Sequence, residues 1–149
     1  MRAVVQRVSR AAVAVAGEEV AAIGRGFLVL LGVGREDGAA DVEYLVRKIS
    51  SLRVFADADG KMNLSLAQVN GEILLVSQFT LYGDVRRGTR PSFQGAADAE
   101  TGRRLYLEVM AGLRQAGLPV CGGRFQEMMA VSLVNDGPVT ILLDSRKQF

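Results

Sequence analysis

The residues best able to do chemistry lie in two short segments, Ser77-Gln78-Phe79-Thr80-Leu81 and Asn135-Asp136-Gly137-Pro138-Val139-Thr140. Each sets polar side chains beside backbone that can face a ligand. None of the 149 residues is a histidine. That removes the commonest general base, the Ser-His-Asp and Cys-His pairs, and every histidine metal site. Catalysis must then rest on backbone amides, hydroxyls, carboxylates or groups of the substrate itself.

In the first segment an apolar strand ends abruptly in polar residues. Amides beyond a strand end lose their ladder partners. Two of them aimed at one point make an oxyanion hole. Ser77 and Thr80 could instead be nucleophiles, but no imidazole stands ready to activate them. Their hydroxyls serve equally well to satisfy local backbone groups. In the second segment Pro138 has no N–H to give a ladder, and Gly137 reaches backbone angles barred to other residues. Turn chemistry alone makes this a hairpin between two strands. The functional alternative is a rigid, protruding pair of carbonyls that shapes a pocket. A cis Gly-Pro bond would suit that role, yet only about 5–6% of X-Pro bonds are cis, so spacing does not choose.

Other segments carry weaker signals. Arg86-Arg87-Gly88-Thr89-Arg90-Pro91-Ser92-Phe93 is a local cluster of positive charge that could hold a phosphate or the end of an RNA, or be a solvated loop. Gly32-Val33-Gly34 after an apolar run suggests a dinucleotide turn, but Asp37 occupies the third glycine position and Glu36-Asp37 would repel a pyrophosphate. Asp57-Ala58-Asp59-Gly60-Lys61 lacks the remaining ligands of a calcium loop and reads as a solvated turn. Cys121 is the single cysteine, so neither an internal disulfide nor a cysteine metal cluster is possible. It reads as a small packed residue. No metal and no cofactor is expected.

The elements that must position these segments follow from periodicity. Ala3 to Val8, Ala11 to Ala16, Val20 to Ile23, Phe27 to Val33, Arg53 to Phe55, Glu72 to Phe79, Met128 to Val134 and Val139 to Leu143 read as strands. The Phe27 run is apolar throughout, which predicts burial on both faces. Val42, Leu45, Val46, Ile49 and Leu52 recur at helical spacing. A second helix is predicted from a cap at Asp98 to a stop at Gly117 and Pro119. Residues 82 to 97 form a long loop, a length that is often functional. The class is mixed α+β (α/β in the broad sense), with mainly antiparallel sheets packed against two long helices in one domain spanning 1–149.

Hydrophobic residues make up 49% and charged residues 23%, the balance of a globular chain. A net charge of +2 excludes a long polybasic groove and leaves room only for local nucleic-acid contact. The apolar stretches are too short to span a bilayer, and the charged start is unlike a signal peptide. The expected location is the cytoplasm.

At these residues the chain resembles the D-aminoacyl-tRNA deacylases, nearly end to end. The likeness rests on Met1-Arg2-Ala3-Val4-Val5-Gln6-Arg7-Val8, Gly60-Lys61-Met62-Asn63, Ser77-Gln78-Phe79-Thr80-Leu81, Arg90-Pro91-Ser92-Phe93 and Val131-Ser132-Leu133-Val134-Asn135-Asp136-Gly137-Pro138-Val139-Thr140. The resemblance implies hydrolysis of the ester joining a D-amino acid, or glycine, to the 3′-terminal adenosine of tRNA, as proofreading in translation. It implies a homodimer with two sites at the subunit interface. Ser77, Gln78, Phe79 and Thr80 would line the pocket of one subunit. Gly137 and Pro138, through a cis bond, would enter from the other and exclude L-amino acids. Activation of water by the ribose 2′-OH is implied as well.

One stretch departs from the family pattern. After Gly123-Arg124-Phe125, the larger Gln126-Glu127 precede Met128-Met129 where small residues are usual. The stretch borders the adenosine pocket in the family, so Phe125 and Met129 are candidate contacts. Two other readings stand beside the first. One is an editing deacylase with a trans Gly-Pro bond, acting on small L-amino acids on a non-cognate tRNA. The other is a non-catalytic RNA-binding module.

Overall fold

The computed structural model describes every residue from Met1 to Phe149. Strand β1 (Arg2–Val15) is its axis. Strand β2 (Glu18–Ile23) follows through a tight turn at Ala16 and Gly17, both at positive φ. Strand β3 (Gly26–Gly32) lies antiparallel to the first half of β1, from Arg2 opposite Gly32 to Val8 opposite Gly26. Strand β2 lies antiparallel to the second half, from Ala11 opposite Ile23 to Val15 opposite Glu18. The two strands thus share one edge of β1. The runs 3–8 and 11–16, read from sequence as separate, are one strand, because both pair with the same neighbour on the opposite edge, on either side of a break in register.

Helix α1 (Ala39–Ser51) buries Val42, Leu45 and Ile49, the apolar stripe that its spacing predicts. Strands β4 (Arg53–Ala56) and β5 (Met62–Ser65) form a small antiparallel pair of their own. Between them Asp57 accepts from the Asp59 and Lys61 amides at 2.9 and 3.0 Å, which makes the acidic loop a turn. Strand β6 (Glu72–Ser77) runs parallel to β3 and ends two residues earlier than its apolar run suggests. Helix α2 (Ala99–Gln115) begins where Asp98 accepts from the Thr101 amide at 2.9 Å and is followed by Gly117 at φ +83. Strand β7 (Val120–Gly122) adds a short parallel rung to β6. Strand β8 (Ala130–Asp144) fills the second edge of β1. The main sheet has six strands, and the mixed α+β class is observed with mainly antiparallel pairing.

The sheet is buried on both faces at its centre. Phe27, Val29, Leu31, Ile73 and Leu75 meet both helices in the larger core, while Leu28, Leu74 and Val76 meet Val8, Ala11 and Val13 in a smaller one. This double burial is why β3 reads as an unbroken apolar run.

The hairpin expected at 135–138 is not there. Runs 130–135 and 140–144 both pair with β1 in one direction, within one strand. Val8 faces Asn135 and Gln6 faces Thr140, so residues 136 to 139 stand out opposite Arg7 alone. A bulge of this kind re-aims residues without reversing the chain. Two shorter strands, β5 and β7, lack a sequence signal long enough to see. Met128 and Met129 precede β8 rather than belonging to it.

Candidate active site

The end of β6 builds the first wall. The Gln78 amide donates to the Leu31 carbonyl at 2.8 Å, the last bond between this segment and β3. The chain then tightens into a 3₁₀ turn over Phe79–Tyr82. The first N–H groups of such a turn have no partner within it. Those of Phe79 and Thr80 have no acceptor elsewhere in the chain either. The Gln78 side-chain amide donates to the Thr80 hydroxyl, so that hydroxyl is engaged by an amide rather than a base.

Tyr82 closes the turn and pins it. Its hydroxyl donates to Asp37 at 3.3 Å. A Cβ on Gly34 would stand 2.7 Å from that hydroxyl, so the glycine after β3 makes room for tyrosine, not for a pyrophosphate. Asp37 also accepts from the Gly34 amide at 2.6 Å and pairs with the Met1 ammonium at 2.7 Å.

Ser77, Gln78, Phe79 and Thr80 line a cavity of about 670 Å³ together with Phe125 and Met129. That is room for a small ligand or a nucleoside with a substituent. Val33, Val76 and Val131 supply apolar floor, and Asp98 and Gly102 bring in the start of α2. Nothing in the local sequence marks these as cavity residues, although a glycine in the first turn of a helix is a weak signal of close approach. The Phe125 ring lies 3.5 Å from where a Gly102 Cβ would be. Phe125 also packs on Tyr106 with centroids 6.0 Å apart. The Tyr106 hydroxyl donates to the Leu75 carbonyl at 2.9 Å, and burial, helped by the Cys121 thiol, pushes its pKa up to about 12. Tyr106 is therefore a neutral structural donor.

The segment with the unusual residues has its own geometry. Gln126 adopts a left-handed φ of +63, and Met128 is 92% exposed. Gln126 and Glu127 are exposed and line the cavity's edge, while Gly123 lets Met129 close in, since a Cβ there would stand 2.4 Å from the Met129 sulfur. Of the carboxylates on the cavity, Asp98 has both oxygens engaged by the Thr101 amide and hydroxyl. Those bonds hold it below the usual carboxylate range. Burial and the charge of Glu72 push the Cys121 thiol up, away from nucleophilic use.

Gly137 and Pro138 do not line this cavity. Their peptide bond is cis. The bulge that carries them is tied at its base. Arg7 donates to the Asp136 carbonyl at 2.9 Å, and Asn135 accepts from the Val139 amide at 2.8 Å while donating to Thr140 Oγ1 at 3.2 Å. Gly137 has φ +130, and a Cβ on it would meet an Arg7 terminal nitrogen at 2.7 Å and Val139 Cγ2 at 2.8 Å. No group of three or more acidic or cysteine side chains gathers where a metal could sit. No helix is long and apolar enough to cross a membrane.

Comparison with known proteins shows similarity in sequence and in fold. The family described as D-Tyr-tRNA(Tyr) deacylase matches residues 4–144. A D-aminoacyl-tRNA deacylase of Syntrophobacter fumaroxidans is 60% identical over 149 residues, the full length of both chains. One from Thermotoga petrophila is 59% identical over the same span. Among solved structures, a c-Myc DNA Unwinding Element Binding Protein superposes with a TM-score of 0.90 at 46% identity, covering 97% of this chain and 98% of its own. A probable eukaryotic D-amino acid tRNA deacylase superposes at 0.80 with 20% identity, covering 95% and 97%, and speaks to the fold alone.

Proposed function

The chain belongs to the D-Tyr-tRNA(Tyr) deacylase family and is a D-aminoacyl-tRNA deacylase, a hydrolase, and we propose that it works through main-chain amides rather than a side-chain nucleophile. Water attacks the carbonyl carbon of the ester between a D-amino acid and the terminal ribose. The carbonyl oxygen takes the negative charge and is held by the N–H groups of Phe79 and Thr80. The substrate's 2′-OH relays the proton from the attacking water. Collapse of the tetrahedral centre breaks the bond to the ribose 3′-oxygen, which leaves with that proton. The products are the free amino acid and tRNA.

The observation that carries this reading is the pair of acceptor-free amides of Phe79 and Thr80, on residues that line a cavity with room for the ester. Preorganised donors of this kind are commonly the largest single contribution to acyl transfer. An aminoacyl ester is already labile, so no imidazole is required.

Chirality needs a second element. Gly137 and Pro138 take no part in lining the cavity of their own chain, and the outer edge of β8 pairs with no strand of this chain. On this reading two copies associate, and each bulge enters the other's cavity where an L side chain would have to go. Specificity then comes from exclusion rather than from gripping a D side chain. Glycine has no side chain to exclude, so glycyl-tRNA is accepted too. Phe125 and Met129 hold the adenosine. The reaction uses no cofactor and takes place in the cytoplasm, where aminoacyl-tRNA is found.

The test is deacylation of matched D- and L-tyrosyl-tRNA by the wild type and by Pro138→Ala. The wild type is expected to hydrolyse the D form and spare the L form, and the variant to begin hydrolysing the L form. Equal hydrolysis of both enantiomers by the wild type would reject proofreading by chirality.

A further inference from the structure

Between Tyr82 and Ala96 the chain leaves the cavity and returns to it. Phe79 and Thr80 line the cavity on the outgoing side, Ala97 and Asp98 on the returning side. The excursion is a structured finger. Asp84 and Ser92 exchange both backbone hydrogen bonds, at 2.8 and 2.9 Å, and close a neck. Below the neck, Phe93 meets Phe79 edge-on with centroids 5.0 Å apart. The finger is thus braced against the same turn that lines the cavity. From Thr80 to Asp84 the backbone can span at most about 14 Å, so the finger stands beside the mouth.

Beyond the neck lie Arg86, Arg87 and Arg90, all exposed. Arg86 forks onto Asp84, its Nε at 2.9 Å, and that bond holds the Asp84 carboxyl well below its usual range. Its charge is used within the finger. Arg87 and Arg90 make no ion pair and no side-chain hydrogen bond in the chain. Two unengaged guanidinium groups on a projection closed at its neck, beside a nucleoside-sized cavity, suit phosphodiester oxygens, which they can meet in bidentate fashion. The low overall charge means that such contact must be local.

We propose that Arg87 and Arg90 bind the phosphates of the single-stranded acceptor end of tRNA, immediately upstream of the adenosine that carries the ester. This rests on the deacylase reading for the identity of the RNA. The finger would set the direction from which the strand enters, and it would supply affinity that the cavity alone lacks.

The experiment measures binding of an uncharged, fluorescently labelled acceptor-stem minihelix with its single-stranded 3′ end, at several salt concentrations. It uses the wild type and Arg87→Ala/Arg90→Ala, with thermal unfolding as a check that the exposed changes leave the fold intact. The double variant is expected to bind about tenfold more weakly, with the slope of log affinity against log salt reduced by about 1.4, two single-strand phosphate contacts. With D-tyrosyl-minihelix as substrate, KM should rise with little change in kcat. Unchanged affinity would overturn the proposal, and so would weaker binding with an unchanged salt slope. Because binding uses uncharged RNA, the two readings fail separately. Tight, salt-dependent binding without ester hydrolysis would sink the deacylase mechanism and leave the finger standing. Hydrolysis with salt-independent binding would do the reverse.

Discussion

Arg7 reaches from the middle of β1 to the carbonyl of Asp136, its Nε donating at 2.9 Å, and thereby fixes the base of the bulge that carries Gly137 and Pro138. A second nitrogen of the same guanidinium donates to the Val54 carbonyl. The side chain is only 13% exposed, and the bond to Val54 is partly buried while the one to Asp136 lies at the surface.

Arg7→Ala therefore frees the bulge. Hydrogen bonds from charged groups contribute about 1.5–3 kcal/mol, enough to change the population of a local conformation tenfold or more. Hydrolysis of L-tyrosyl-tRNA is expected to rise relative to the D form by about that factor. The ratio of the two initial rates measures it, and an unchanged ratio means that Arg7 does not position the wall.

Thr80 separates main chain from side chain. Thr80→Ala keeps the N–H and should retain most activity. Thr80→Pro removes the N–H near the start of a 3₁₀ turn, where proline is tolerated, and should lower kcat by about 10²–10³. Single-turnover deacylation, with circular dichroism to confirm the fold, reads both. Loss of activity in the alanine variant would return a side-chain nucleophile to the mechanism.

Tyr106→Phe removes one bond to the Leu75 carbonyl, which still accepts from the Gly123 amide at 3.2 Å. The acceptor is not orphaned, so the cost should be near the ordinary net value of about 1 kcal/mol. Urea denaturation measures it. A loss above about 3 kcal/mol would show that the ring itself had moved.

Asp41 makes stability depend on pH. Burial raises its pKa, but the Ser145 hydroxyl, the Gly38 amide and nearby positive charge together outweigh this and lower it. The folded state thus prefers the carboxylate. Its contribution is complete above the ordinary value of 3.8 and is lost as pH falls through the lower folded-state value. Asp41→Asn should destabilise the protein at pH 6, and the gap to wild type should close below about pH 4. Denaturation across pH 3–6 checks this, and a constant gap would contradict it.

What the sequence makes legible is whatever depends on neighbours a few residues away. The stripe of α1, the Asp98 cap and the doubly buried β3 all follow from local pattern. Asn135-Asp136-Gly137-Pro138 misleads for the same reason. Its composition is that of a hairpin turn, and only the shared partner β1, more than a hundred residues away, makes it a bulge. Strand β7 is three residues long and owes its conformation to β6. The cavity is half legible. Ser77 to Thr80 stand out as polar residues ending an apolar strand, whereas Val33, Gly102 and Val131 reach it only through tertiary packing. Arg7 gave no local sign of its bond to Asp136.

Strand β1 has both edges filled, by β8 along one side and by β3 and then β2 along the other. Its amides can meet deuterium from the solvent only when neighbouring strands separate, so their exchange should track global unfolding. The arm that braces the Gly137-Pro138 bulge grows from this strand. The bulge is thus anchored on the strand expected to open last, and it should keep its shape under conditions that already loosen the loops.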